Sequence, residues 1–441
     1  MAPAVVPPPD GGYPNFTTAE GTNALKNLTT GSANTAVGWY SLFNDTDGSY
    51  NTGVGAGTLA LNGGDENTAT GVGALLLNTT GSLNTANGAL ALLNNTEGLG
   101  NTATGFSALG NNTTGSVNTA NGGGALQNNT EGSNNTAVGA NALFGNTTGD
   151  FNTATGFNAL VNNTAGDSNT ANGYQALSNN IDGTNNNAIG HNALFTHQTG
   201  SFNNALGALA LASDTAGVGN TAVGDAALQS TIGNSNTAIG QSAGSHATTG
   251  DGNVYIGSAM IGVAGEANHT YVRNINTTSV SGGNADFVTV DLTTGLLGHL
   301  SSSRRYKENI KPMDKASEAL FALKPVTYRY EKDIDPTQSL DYGLIAEDVA
   351  QVDPNLAIRD GKGQIESVRY NAINAMLLNE FLKEHRKVEK LTNDFQATVA
   401  EQQKEIQALT AQLKEQTAQI QKVSAQIEVS KRAAQMVLNN Q

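Results

Sequence analysis

Asn101-Thr102-Ala103-Thr104-Gly105-Phe106-Ser107-Ala108-Leu109-Gly110-Asn111-Asn112-Thr113-Thr114-Gly115-Ser116-Val117 is one period of a ruler, and Asn118-Thr119-Ala120-Asn121-Gly122 begins the next. Aligned on Asn-Thr-Ala-x-Gly, copies start at Asn34, Asn51, Asn67, Asn84, Asn101, Asn118, Asn135, Asn152, Asn169, Asn186, Asn203, Asn220, Asn236 and Asn253, with eleven intervals of 17 residues and two of 16. The fifth position is always glycine: Gly38, Gly55, Gly71, Gly88, Gly105, Gly122, Gly139, Gly156, Gly173, Gly190, Gly207, Gly224, Gly240 and Gly257. Leu holds the ninth position in twelve successive copies, from Leu42 to Leu228, and a degenerate copy runs from Asn15 to Gly31.

A unit this short holds one or two strands and their turns, and one Leu with two Ala cannot close a core alone. Stacking equivalent positions makes the core continuous. With neighbouring coils about 4.7–4.9 Å apart, about fifteen coils build a rod on the order of 70 Å long. The strict glycine predicts a positive φ or a close backbone approach in every coil, and Asn and Thr in register predict side-chain ladders. So much Gly, Asn and Thr also invites a disorder reading, but a disordered linker has no reason to keep Leu in register.

Charge divides the chain. Residues 1–301 carry two basic residues, Lys26 and Arg273, against 17 acidic ones, whereas 302–441 carry 20 of each, so the net charge of −15 belongs to the first part. Of 52 glycines only Gly343, Gly361 and Gly363 follow residue 301. A segment with two cations cannot neutralise a phosphate backbone, which excludes nucleic acid as its partner. No apolar run approaches 18 residues, so no membrane span is expected. Cysteine is absent, so neither disulfides nor thiolate metal sites are available, and no cofactor is expected. The start, Met1 to Asp10, has no basic end and no apolar run of signal-peptide length, so the expectation is either no export by that route or a leader replaced by Met1. The acids fall at turns of the repeat: Asp47, Glu66, Glu97, Glu131, Asp150, Asp167 and Asp182.

The repeat resembles the heads of trimeric autotransporter adhesins, in which Asn-x-Ala-x-Gly-like coils form a left-handed parallel β-roll in each of three chains. Its period is longer than is usual there, and a single-chain β-helix or a threefold interleaved β-prism stays open.

Past Gly265 the ruler stops. Asn268–Leu300 reads as short strands with turns, including Phe287-Val288-Thr289-Val290 and the turn from Gly295 to Gly298. Composition then switches at Ser301-Ser302-Ser303-Arg304-Arg305-Tyr306-Lys307-Glu308-Asn309-Ile310. This stretch, with Leu323-Lys324-Pro325-Val326-Thr327-Tyr328-Arg329-Tyr330, Tyr342-Gly343-Leu344-Ile345-Ala346-Glu347-Asp348-Val349 and Val368-Arg369-Tyr370-Asn371-Ala372-Ile373-Asn374-Ala375, resembles the C-terminal intramolecular chaperone autoprotease of phage tail spikes and endosialidases. The resemblance implies a catalytic dyad of Ser302 and Lys307 cutting the bond between Ser301 and Ser302, which makes the chain a single-turnover serine endopeptidase acting on itself. A serine nucleophile needs a base, and Lys serves only when neutral, a state that burial or nearby cations such as Arg304 and Arg305 favour. Many members have Asp after the nucleophile where this chain has Ser303, and the neighbouring serines leave the register open by one residue. Read without the resemblance, three serines and three cations make a basic surface turn.

The rest of this module reads as a small α/β body. Asp314 is expected to cap a short helix running to Leu323, strands are expected at Val326–Tyr330 and Tyr342–Ile345, and Asp360-Gly361-Lys362-Gly363 reads as a hairpin turn. From about Asn371 the pattern is helical. With Leu378 at a, the a series is Leu378, His385, Thr392, Val399, Ile406, Leu413, Ile420, Ile427 and Ala434, and the d series is Phe381, Val388, Phe395, Gln402, Leu409, Gln416, Val423, Ser430 and Val437. Seven of nine and six of nine are apolar, the signature of a coiled coil. Its predicted core is Leu378, Phe381, Val388, Phe395, Val399, Ile406, Leu409, Leu413, Ile420, Val423 and Ile427. His385 reads as a core or interface residue rather than a metal ligand, since no His or Cys stands at ligand spacing.

The expected architecture is a mainly β repeat rod, a parallel β-roll or β-solenoid of 17-residue coils and trimeric, then a small α/β chaperone module and a C-terminal trimeric coiled coil. Boundaries are expected at 1–14 for a tail, 15–265 for the repeats, 266–301 for a β neck, 302–372 for the self-cleaving chaperone and 373–438 for the coiled coil. The function expected is a homotrimeric extracellular, cell-surface or virion fibre whose partners are its own copies and a cell-surface glycan or receptor. A polysaccharide-degrading tail spike and a glycan-binding rod without self-cleavage are the alternatives. The first needs two carboxylates in an aromatic-rich cleft, which a chain with Trp39 as its one tryptophan does not offer.

Overall fold

The computed structural model describes residues 14–275, 288–292, 294, 296–298 and 301–438. The tail before Pro14, together with Phe287, Gly295 and Leu300 of the expected neck, lies outside the described residues. The chain divides into two compact units, Met1–Ser279 and Val280–Gln441.

The first unit is a parallel β-solenoid. Sixteen strands of three residues, numbered β1 (Thr18–Glu20) to β16 (Thr270–Val272), form a single sheet in which each strand pairs with its sequence neighbours. Equivalent residues pair with one another, as in Thr102↔Thr119 and Ala103↔Ala120. The two 16-residue periods do not disturb the register, because Thr52 still pairs with Thr68 and Thr221 with Thr237. The missing residue is taken up in the turns.

Hydrogen bonds run from coil to coil outside the strands as well. Leu109 N–H donates to Ala125, Asn111 N–H to Gln127 and Thr113 N–H to Thr130, at 2.9–3.0 Å. The core is correspondingly uniform: the middle residue of a strand, Ala in all but three of the sixteen, packs as Ala103 does with Ala108 and Leu109, all fully buried.

Coil closure demands unusual backbone angles. The fifth-position glycines have φ from +118° to +148°, and a Cβ on Gly105 would lie 2.7 Å from the carbonyl oxygen of Gly122. Both reasons for a strict glycine hold at once. The repeated leucines are also left-handed, with φ between 48° and 53° from Leu42 to Leu228. Such a conformation costs roughly 1–2 kcal/mol per residue, and burial of each side chain, at about 1.5–3 kcal/mol, offsets it.

Two asparagine rows form the polar interior. In the first, Asn101 N–H donates to Asn84 Oδ1 at 2.9 Å and Asn101 Nδ2 to the Gly115 carbonyl at 2.9 Å. In the second, Asn112 Nδ2 donates to Asn95 Oδ1 at 2.7 Å and to the same Gly115 carbonyl at 2.8 Å. These buried amides are thereby satisfied by their own coil and its neighbours. The predicted Thr ladder is present in the turns, where Thr113 Oγ1 donates to the Thr130 carbonyl at 2.8 Å.

At the C-terminal end of the rod the pattern changes. Gly244 stands where Leu would be, and Tyr255 replaces Ala to fill the space. Tyr255 and Tyr271 stack with centroids 5.6 Å apart and donate to Glu266 Oε1 and Oε2, each at 2.8 Å.

In the second unit, β17 (Thr289–Val290) and β18 (Leu297–Gly298) pair antiparallel. A 3₁₀ segment, Asp314–Ala322, precedes the antiparallel pair β19 (Val326–Tyr328) and β20 (Asp341–Gly343). Then come helix α1 (Ala346–Val352) and the hairpin of β21 (Ala357–Arg359) and β22 (Ile365–Val368), which turns at Asp360–Gly363 as its sequence predicts. Helix α2 runs from Tyr370 to Leu438. Val349, Leu356, Val368 and Met376 form a small core.

The expected cap at Asp314 is corrected: Met313 holds the cap position without a side-chain hydrogen bond, and Asp314 is itself left-handed at φ 44°. Its carbonyl, not its carboxylate, is used, accepting from Ser317 Oγ at 3.2 Å. Ser317 Oγ donates to Glu380 Oε1 at 2.5 Å, and Lys383 Nζ donates to the same oxygen at 2.6 Å. This cluster ties the 3₁₀ segment to α2.

Candidate functional site

Ser302 and Lys307 are brought together by a tight turn. Ser303 caps a 3₁₀ turn, Arg304–Tyr306, its Oγ accepting from Arg305 N–H and from Arg305 Nε, each at 3.3 Å. Ser301 Oγ accepts from Ser303 N–H at 3.3 Å. The turn closes with Tyr306 N–H donating to the Ser303 carbonyl at 3.0 Å and Lys307 N–H to the Arg304 carbonyl at 3.3 Å. Extended backbone at Lys307 then swings its side chain back, and Nζ donates to Ser302 Oγ at 3.1 Å.

Ser302 and Lys307 are both exposed, and Ser301 is half-buried. Arg305 lies over the Tyr306 ring, 5.5 Å from its centroid. At this distance the Lys307 amine is in hydrogen-bond reach of the Ser302 hydroxyl.

The predicted coiled-coil residues lie on α2, a helix of about 100 Å at 1.5 Å per residue. From Leu378 to Ile427 all eleven are exposed, between 43% and 69%. His385 is exposed with them, its Nε2 facing Glu389 Oε1 at 3.4 Å one turn on. Among the described residues no group of three or more His, Cys, Asp or Glu is placed to hold a metal, and no helix is long and apolar enough to cross a membrane.

Three titratable residues of the second asparagine spine escape the sequence reading. At the twelfth repeat position, where Asn forms the second spine, stand His197 and Asp214, both fully buried. His197 Nε2 donates to the Gly200 carbonyl at 2.8 Å, and its Nδ1 faces Asp214 Oδ2 at 3.2 Å. Asp214 Oδ1 accepts from Gly217 N–H at 2.8 Å. Asn180 Oδ1, one coil earlier, is left without a donor. Asp45 opens the same spine; burial pushes its carboxyl up to about 6 against hydrogen bonds from Gly48 N–H and the Asn62 and Asn51 amides. The signal for all three is a departure from Asn in a column that is otherwise Asn from residue 45 to residue 214. It is readable only once that column is known to face inward.

Residues 302–358 match the family model described as chaperone of endosialidase. The match begins at Ser302 and ends within β21. No curated protein and no solved structure matched the chain.

Proposed function

From a chaperone-of-endosialidase segment placed behind a parallel β-solenoid, we propose that the chain is a homotrimeric fibre or adhesin-like protein, of a virion or cell surface, which its C-terminal part assembles. The observation that carries this reading is the apolar stripe of α2, whose eleven predicted core residues face water in a single chain. Association in parallel buries them as a and d layers. Near-identical coils can pair out of register, and partly folded rods aggregate through open edges. Helices that first join three chains align their ends and raise the effective concentration of the repeats.

The Ser302–Lys307 pair releases the assembly tool. Ser302 Oγ adds to the Ser301 carbonyl carbon while Lys307 takes the hydroxyl proton and delivers it to the departing Ser302 nitrogen. One water hydrolyses the resulting ester, giving a Ser301 carboxylate and restoring the Ser302 hydroxyl. The pair is exposed in one chain, and packing of neighbouring copies over it excludes water from the reacting bond. Cleavage therefore follows assembly and leaves the fibre kinetically trapped. A binding role for the rod is supported by the exposed ring stack of Phe157, Tyr174 and His191, with centroids 5.6 and 5.3 Å apart.

Intact-mass measurement of purified protein tests the cut. Wild type is expected to give two species divided between Ser301 and Ser302, and Ser302→Ala and Lys307→Met only the full chain. Full-length wild type alone, after assembly, sinks the autoproteolytic reading.

A further inference from the structure

The outward face of the solenoid sheet carries no charge from β2 (Thr35–Val37) to β16, because the first and third residues of each strand are Thr, Asn, Val, Ile or Leu. This holds although the first 301 residues have a formal charge of −15. The acids stand mainly in the turns, as at Glu97, Glu131, Asp150 and Asp182. Two such rods repel wherever their turns approach, and this face lets them meet without opposing carboxylates.

Within the face, the third strand position becomes continuously apolar over the last six coils: Ile189, Leu206, Val223, Ile239, Ile256 and Val272. Each is paired in register with the next. At about 4.8 Å per coil the stripe is roughly 25–30 Å long. All but the half-buried Val223 are 38–49% exposed. A contiguous row of branched apolar side chains on a sheet face marks an interaction surface rather than scattered exposure.

We infer that this stripe is where the rods of three copies of this chain meet, each stripe packing against its own equivalents about the threefold axis. The inference rests on the trimeric reading above. Cyclic symmetry brings the same residue of each copy to the same height, an arrangement that apolar side chains satisfy and like charges do not. The uncharged sheet face from β2 to β16, three residues wide and fifteen strands long, offers roughly 700 Å² per copy, shared between its two neighbours about the axis. The stripe also occupies the end of the rod that leads, in chain order, to the chaperone segment, so contacts begun by α2 propagate into it.

The chain has no cysteine, which permits a clean cross-linking test on the full-length Ser302→Ala protein. Ile239→Cys and, as a second probe, Val223→Cys are oxidised or treated with a short bismaleimide, with the turn residue Asp182→Cys as control and light scattering on every sample. Expected are trimers throughout, with covalent dimers from the stripe cysteines and at least ten-fold fewer from Asp182→Cys. Trimers whose stripe cysteines cross-link no better than the control overturn the stripe and leave the assembly reading standing. Monomers throughout overturn both.

Discussion

Leu143 shows how one residue type can serve two opposed demands. Its side chain is fully buried while its backbone is left-handed at φ 53°. Leu143→Ala removes the buried atoms but keeps the strained angle, at a cost of about 2–5 kcal/mol. Glycine at this position loses the same contacts but relieves roughly 1–2 kcal/mol of strain, more than the about 0.5–1 kcal/mol its chain freedom costs elsewhere. Leu143→Gly is therefore expected to be at least as stable as Leu143→Ala in urea titration, the reverse of the usual order. Asp45 supplies a second test at this scale. Its folded-state value of about 6 lies above its ordinary 3.8, so the proton favours folding, and that contribution is complete below the ordinary value and lost as pH rises through about 6. Glu266 works in the opposite sense. Burial pushes it up, but hydrogen bonds from Val263 N–H and from Tyr255 and Tyr271 outweigh burial and hold it below its ordinary 4.5, so its contribution is lost on acidification. Between about pH 5 and 7 the Asp45 effect operates and that of Glu266 does not; thermal melts there should fall more steeply with pH in wild type than in Asp45→Asn.

Elements in this chain are legible where a column of the repeat has one chemical reason and obscure where it has two. The glycine column admits a single explanation, so its backbone role can be read directly. The leucine column reads as core, but its sign of φ follows from closing a 17-residue coil, which no single period reveals. His197 and Asp214 read as drift on a surface until the spine is known to be internal. Removing one partner of this buried pair should cost about 3–5 kcal/mol when it leaves a carboxylate unpaired. His197→Asn does so, because the amide oxygen it introduces would face the carboxylate of Asp214. The double variant His197→Asn with Asp214→Asn continues the spine and restores a donor to Asn180 Oδ1, so its melting temperature is expected to equal or exceed wild type. A double variant no better than His197→Asn alone would show that the spine does not tolerate asparagine there. In the second unit, the five-residue separation of Ser302 and Lys307 is legible only through resemblance. The turn that closes it depends on Ser303 accepting from Arg305, a local bond that a run of three serines does not single out.

At the scale of the molecule, charge, repeat and heptad divide the work. The net negative charge belongs to the solenoid, and a charge-balanced segment holds the long exposed helix through which association is proposed. Expression of residues 1–301 without 302–441 is expected to yield aggregated or monomeric rod by light scattering, because nothing then aligns the copies; soluble trimers would contradict an assembly role for the C-terminal part. The hydrogen bonds that join successive coils have a mechanical corollary. They lie along the axis of the solenoid, so tension applied between its two ends loads them head-on rather than in shear, and each coil holds only its neighbours. Such a rod yields from an end, one coil at a time. Each 17-residue coil that opens releases roughly 50 Å of chain before the next takes the load, which makes the solenoid an extensible tether with evenly spaced steps.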